Sequence, residues 1–279
     1  MALIRMDLFS RCLMRTVPLT AVVPVDNVRY EGEPERDPDK PYKMLILLNG
    51  IYGNNIDWVC AGDVYMMAQE RNLVVIMPAG ENGFYVDHCS DGQAYGRFIG
   101  EELPERMRRM FPVSHRREDT FICGLSMGGY GALRNGLHYG DTFGYAAGLS
   151  SAVLPEILPE AGTEDPVDYT RSTRYFESIF GDLERICEGT NSIEWLYEKR
   201  VREERPIPKL YMAVGTEDFL LKANRRLKDF FGGCGADLTY EEGPGGHDFV
   251  FWNTYLRRVF EWLPLENGTS GIGSGNVKR

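Results

Sequence analysis

Positive charge is the first thing this chain is short of. Its 31 Lys and Arg stand against 41 Asp and Glu, a formal net charge of -10. It therefore lacks the cationic surplus that nucleic acid or an anionic membrane surface would ask of a partner. Long apolar runs are missing as well, since none approaches the ~20 residues of a membrane span. The opening Met-Ala-Leu-Ile-Arg-Met-Asp-Leu carries charges where a secretion signal would need its apolar stretch. The expectation is a soluble, cytoplasmic protein with no nucleic-acid and no membrane partner. Histidine is scarce: His88, His115, His138 and His247 are the only four, and none is paired at metal-ligand spacing. The six cysteines (Cys12, Cys60, Cys89, Cys123, Cys187, Cys234) include no C-x-x-C pair. That suggests no zinc site and fits a compartment that keeps thiols reduced. No metal and no cofactor is expected, and no internal repeat is visible.

What the chain does have is enough apolar material, 43% of 279 residues, for one large α/β core rather than two domains. One stretch organises the rest. Thr120 to Cys123 is a short run of β-formers that reads as a buried strand. Gly124-Leu125-Ser126-Met127-Gly128 follows and fits G-x-S-x-G, with a helical pattern from Tyr130 to Tyr139. Strand, tight glycine-flanked turn, helix is the context of a nucleophile elbow. Such a turn lifts a serine hydroxyl clear of the sheet and sets it at a helix N-terminus. There the next backbone N–H and the helix dipole can meet a developing oxyanion. A glycine-rich turn with a solvent-facing serine is the plainer alternative.

Strand-like and helix-like stretches alternate along the chain. Ile4 to Met14 and Thr16 to Val23 read as opening antiparallel strands, and residues 27–41 as a polar loop. Lys43 to Leu48 is an apolar strand ending in Asn49-Gly50-Ile51-Tyr52-Gly53, followed by a helix from Trp58 to Glu70. Leu73 to Met77 is the next strand. A helix from Tyr95 towards Met110 should kink or break at Pro104. After the elbow come a strand from Gly144 to Leu149 and a strand-free excursion, about 152–206, with helices near Ser172 to Cys187 and Ser192 to Arg202. Excursions of that length tend to be lids or binding elements. Lys209 to Val214 and Ala236 to Tyr240 are the last strands, each followed by a helix, and 266–279 reads as a flexible tail. The pattern predicts a mostly parallel central sheet with helices on both faces. In such sheets ligands bind beyond the carboxyl ends of the strands. Asn49 to Gly53, Ser126, Asp218 and His247 all follow strands directly and so should share one rim.

Serine needs a base within hydrogen-bond reach. His247 is the candidate, in a loop between last strand and last helix after Gly245-Gly246. A carboxylate should fix its tautomer. Asp218 ends a strand and fits the order Ser, Asp, His, although Glu217 is a near rival and Asp218 could simply cap the following helix.

At this point the chain resembles the esterase D branch of the α/β-hydrolases, with its tributyrin and acetyl esterases, S-formylglutathione hydrolases and feruloyl esterases. The matching stretches are Leu47 to Asn54, Gly124 to Gly131, Gly215 to Leu220 and Gly246-His247. The resemblance implies an α/β-hydrolase fold in one domain, 1–265, with a helical insertion acting as a lid before the penultimate strand. It implies a triad of Ser126, Asp218 and His247, with an oxyanion hole from the backbone N–H groups of Ile51 and Met127. One departure stands out: the family usually has His-Gly where this chain has Asn49-Gly50.

The function expected is a serine carboxylic-ester hydrolase acting on small-molecule esters of short acyl chains or compact aromatic acids such as acetyl or feruloyl groups. A thioesterase or acyltransferase with the same triad is the alternative, and a non-catalytic binding protein on this scaffold a third. Tyr52, Phe84, Tyr85 and Trp252 are candidates for the substrate pocket. Tyr52, Phe84 and Tyr85 lie in loops, where burial is harder to arrange. Trp252, like Trp58, falls on an inner helix face where core packing competes. Whether the chain forms a homo-oligomer is left open.

Overall fold

The computed structural model describes residues 1–26, 37, 39–160, 162–164 and 167–266. The tail expected at 266–279 lies outside these from 267 onwards, as does most of the loop expected at 27–41. Eight strands are described: β1 (Ala2–Ser10), β2 (Arg15–Val23), β3 (Lys43–Leu48), β4 (Leu73–Pro78), β5 (Thr120–Leu125), β6 (Tyr145–Leu149), β7 (Lys209–Gly215) and β8 (Leu238–Gly243). They form one sheet in the order β1-β2-β4-β3-β5-β6-β7-β8. β1 pairs antiparallel with β2, and β2 with β4, while every later pairing is parallel. This is the α/β-hydrolase architecture anticipated from the alternation of strand and helix patterns.

The sequence of each strand matches its place. β4, Leu-Val-Val-Ile-Met-Pro, is buried at every residue, as an inner strand covered on both faces must be. Edge strand β1 instead alternates, with Leu3, Arg5, Asp7 and Phe9 turned to solvent. The pleat divides the core in two. Met44, Ile46 and Leu48 of β3 face one layer with Phe98, Tyr130, Leu133, Leu196 and Leu227. Leu45 and Leu47 face the other, with Trp58, Met67, Leu256 and Phe260. Each such side chain contributes about 1.5–3 kcal/mol by burial, so both helical layers are firmly held.

Three elements differ from expectation. The helix expected from Trp58 to Glu70 is two, Asp57–Cys60 and Val64–Glu70. The chain breaks near Gly62, where a Cβ would lie 2.6 Å from Asn253 Oδ1 of the last helix, so the backbone there runs against a neighbour. The break expected at Pro104 falls earlier, as a π-helical stretch over Phe98–Glu102. Pro104 itself sits in the first turn of helix Leu103–Met110, where a missing N–H costs little. The wide turn presents Glu102 to the Ser10 hydroxyl at 2.7 Å and the Arg11 N–H at 2.9 Å, fastening the β1–β2 corner. The first insertion helix, Thr173–Phe180, stops well before Cys187, because Gly181 turns the chain at φ 78.

The excursion between β6 and β7 is pinned to the body. Tyr130 donates its hydroxyl to the Asn191 carbonyl at 2.6 Å, and Arg134 Nε donates to the Thr190 carbonyl at 2.8 Å. Arg226 pairs with Glu156 and Glu194.

Candidate active site

Ser126 sits between β5 and helix Met127–His138 with φ 55 and ψ -119, left-handed backbone that a side chain rarely adopts. The surroundings over-determine it. Its N–H donates to the Leu149 carbonyl at 2.8 Å, and its carbonyl accepts from Tyr130 and Ala152, each at 3.0 Å. Both glycines of the motif are sterically required. A Cβ on Gly124 would lie 2.3 Å from the Gly128 carbonyl oxygen, and one on Gly128 would lie 2.5 Å from that of Asn49.

The structure brings the three expected polar residues into one chain of hydrogen bonds. His247 Nε2 lies 2.9 Å from Ser126 Oγ, and His247 Nδ1 lies 2.9 Å from Asp218 Oδ2. Burial raises the Asp218 pKa, but hydrogen bonds from His247, the Leu220 N–H and Ser150 outweigh it and hold the carboxyl below its ordinary value. The carboxylate is thus the acceptor, which makes His247 Nδ1–H the donor and leaves Nε2 to accept from the serine. Asp218 also serves the local turn that was its plainer role, with Oδ1 accepting the Leu220 N–H at 2.8 Å. The rival carboxylate is engaged elsewhere: Glu217 accepts from the Thr216 hydroxyl and the Gly245 N–H.

The other histidines are not part of this arrangement. His88 bridges Asp91 and the Gly83 carbonyl. His138 is pushed down to about 3 by burial and by the cations Arg134, Lys199 and Arg200.

The loop after β3 lies directly against the elbow, since a Cβ on Gly50 would stand 3.4 Å from Ser126 Cβ. Tyr52 N–H donates to Asn82 Oδ1 at 2.8 Å, and Gly53 N–H to the Gly50 carbonyl at 3.2 Å. Ile51 N–H, just before them, makes no backbone hydrogen bond among the described residues. Met127 opens its helix, where an N–H has no intrahelical acceptor. Asn49, the departure from the family pattern, is buried and hydrogen-bonded through both side-chain polar atoms. Its Nδ2 donates to the Gly50 carbonyl at 2.8 Å, while Oδ1 accepts from Gly80 N–H at 3.2 Å and the Tyr85 hydroxyl at 3.0 Å.

The expectation that Phe84 and Tyr85 stay accessible in their loop is corrected. Both are buried, at consecutive left-handed positions with φ 51 and 58, which turn their rings inward. Phe84 packs among Tyr130, Phe176 and Phe180 beneath the insertion. Tyr85 braces the Asn49 loop from below. Loop position had argued against burial, but the loop here is folded into the core. Trp252 is also buried, as its helix face anticipated. Its indole packs perpendicular to the His247 ring, centres 4.9 Å apart, and donates Nε1–H to the Ser150 hydroxyl at 3.1 Å. Tyr52 alone of the four is exposed, and its hydroxyl meets Asp168 Oδ2 and Thr170 Oγ1 of the insertion, each at 2.5 Å. Sequence reading missed Phe219, whose ring lies 4.7 Å from that of His247, and Ser150, whose left-handed φ of 46 had no glycine or asparagine to signal it.

Among the described residues no group of three or more His, Cys, Asp or Glu is placed to hold a metal ion, and no helix is long and apolar enough to cross a membrane.

Comparison with known proteins gives the chain its family. The model of the Esterase family, described as "Putative esterase", matches residues 32–263. An acetyl esterase of Caldicellulosiruptor saccharolyticus is 40% identical over 266 residues, covering 94% of this chain and 98% of that protein. Among solved structures, a fluorophosphonate-binding serine hydrolase of Staphylococcus aureus, with substrate bound, superposes with a TM-score of 0.81 at 28% identity, covering 94% and 98% of the two chains. An S-formylglutathione hydrolase of the same organism gives 0.79 at 29% identity with the same coverage. The match runs through the elbow and the loops on its rim, and on that ground this chain belongs to the Esterase family and is a serine ester hydrolase.

Proposed function

We infer that Ser126 is the nucleophile, His247 the base and Asp218 the orienting carboxylate in hydrolysis of esters of short acyl chains or compact aromatic acids. The observation that carries this reading is the unbroken run of hydrogen bonds, 2.9 Å at each step, from Ser126 Oγ through His247 to Asp218. In the first half-reaction Ser126 Oγ attacks the acyl carbon as its proton passes to His247 Nε2. The C–O bond then breaks, and the same proton goes to the leaving alcohol. Water, deprotonated by His247, attacks the acyl-serine; the acid leaves and Ser126 regains its proton. Ile51 and Met127 N–H take the oxyanion, each contributing roughly 3 kcal/mol to the transition state.

The size preference rests on the burial of Ser126 and on the packing beneath the insertion. Ser126 is buried. The aromatic cluster around Phe84 fills the space under the insertion, and Tyr52 fastens residues 167–170 of the insertion beside the oxyanion loop. The insertion between β6 and β7 thus serves as a lid. The acetyl esterase relative supports a short acyl group. The S-formylglutathione hydrolase likeness favours a second reading, in which the leaving group is a thiol. A panel of oxygen esters and matched thioesters with acyl groups from acetyl to dodecanoyl, plus feruloyl, tests both. The expected result is the highest kcat/KM for acetyl or feruloyl oxygen esters. Values rising steadily towards dodecanoyl would overturn the size preference, and a strong bias to thioesters would favour the second reading.

A further inference from the structure

Phe219 is 76% exposed, an unusual state for a phenylalanine that follows a buried carboxylate and precedes a buried leucine. It is not a loose surface side chain. Its ring lies 4.7 Å from the His247 imidazole at a tilt of 49°, on a ring that Trp252 also contacts from the buried side. Val250, three residues beyond His247, is 81% exposed beside the same loop. His247 therefore has an apolar, solvent-exposed ring seated against it.

Chemistry fixes what must pass there. In the reading above, His247 Nε2–H delivers its proton to the departing oxygen, which must lie about 3 Å from Nε2 at that moment. The rest of the alcohol leaves away from Ser126 and the oxyanion loop. A group a few atoms beyond the oxygen then comes within van der Waals reach of a ring already seated against His247.

We propose that Phe219 is a specificity-determining residue for the alcohol part of the ester, an exposed platform for uncharged leaving groups that carry a ring. It rests on the ester-hydrolase reading and adds to it the class of alcohol. Acyl size is set around Ser126, and alcohol preference is set on the outer side of His247. A ring stacked on Phe219 gains the attraction of an aromatic pair and loses apolar surface to water, whereas a two-carbon alcohol reaches neither.

The test compares ethyl acetate with 2-phenylethyl acetate. Both release primary alcohols, so the bond broken is equally reactive and the ratio of kcat/KM values reads alcohol recognition alone. Wild type is expected to favour the phenylethyl ester. Phe219→Ala should cut that ratio about five- to tenfold, and Phe219→Tyr, which keeps the ring, should retain it. The residue is exposed, so neither variant threatens the fold. An unchanged ratio in Phe219→Ala overturns the proposal, as does an equal loss on both esters, which would make Phe219 a support for His247 only. Active wild type with no preference between the esters overturns it alone. Wild type that cleaves neither overturns the hydrolase reading as well.

Discussion

Trp252 stands perpendicular to His247, at 87° and 4.9 Å between ring centres, with its indole N–H tied 3.1 Å from the Ser150 hydroxyl. Ser150 in turn is one of the groups that hold the Asp218 carboxyl down. One buried side chain therefore touches His247 directly and, through Ser150, Asp218. Trp252→Leu should lower kcat about tenfold with little change in KM, because the imidazole loses a wall and not a substrate contact. Trp252→Phe keeps a ring and should lose less. Equal losses in the two variants, or a change confined to KM, would contradict this role.

The two adjacent acids at the end of β7 should separate cleanly. Asp218→Asn is expected to reduce kcat by ~10³–10⁴, as loss of the tautomer-fixing carboxylate does in other serine hydrolases. Glu217→Gln should change kcat no more than a few-fold, since that carboxylate serves Thr216 and Gly245. Steady-state kinetics on one acetyl ester decides it, and a crippled Glu217→Gln beside a near-normal Asp218→Asn would reverse the assignment.

Tyr85 and Asn49 form a buried brace under the loop that follows β3. Tyr85→Phe removes one donor shared between the Asn49 carbonyl and its side-chain oxygen. Unfolding in urea should show a loss of about 1–3 kcal/mol. Asn49→His, which restores the family's usual residue, should alter kcat/KM far less than the roughly hundredfold cost of a lost oxyanion donor. A thousandfold change would mean that the Asn49 side chain takes part in the chemistry.

His138 gives a pH signature. Its folded pKa is about 3, lowered first by burial and then by neighbouring cations, against an ordinary value of 6.5. Between those limits the unfolded chain binds the extra proton, so stability is complete above pH 6.5 and falls as pH drops towards 3. The slope from this group is at most about 1.4 kcal/mol per pH unit. Its Nδ1 is buried and has no partner among the described residues, so an apolar replacement leaves nothing unsatisfied. His138→Leu should flatten the dependence of unfolding free energy on pH between 6 and 4. An unaltered slope would contradict the assignment.

How much of this was legible depends on the range of the interactions. The elbow was readable because its pattern is local: Gly124, Ser126 and Gly128 lie within five residues, even though Gly128 is also required by the approach of the Asn49 carbonyl. Asp218 and His247 were readable by place, as both directly follow strands whose carboxyl ends must share a rim. Phe84 and Tyr85 were not, since their burial depends on two successive left-handed residues and on helices more than forty residues away. Ser150 and Phe219 were silent for a similar reason. Their significance lies in distances to Trp252 and His247, over 100 and 28 positions along the chain, which no local pattern encodes.

The central claim is that ester cleavage runs through the Ser126 hydroxyl. Turnover of an acetyl ester by Ser126→Ala, measured against wild type, tests it most directly, because the substitution removes one oxygen from a site that stays otherwise intact. The account predicts a loss of at least ~10³ in kcat, with the residual rate owed to binding and the oxyanion hole. Turnover within tenfold of wild type would contradict it.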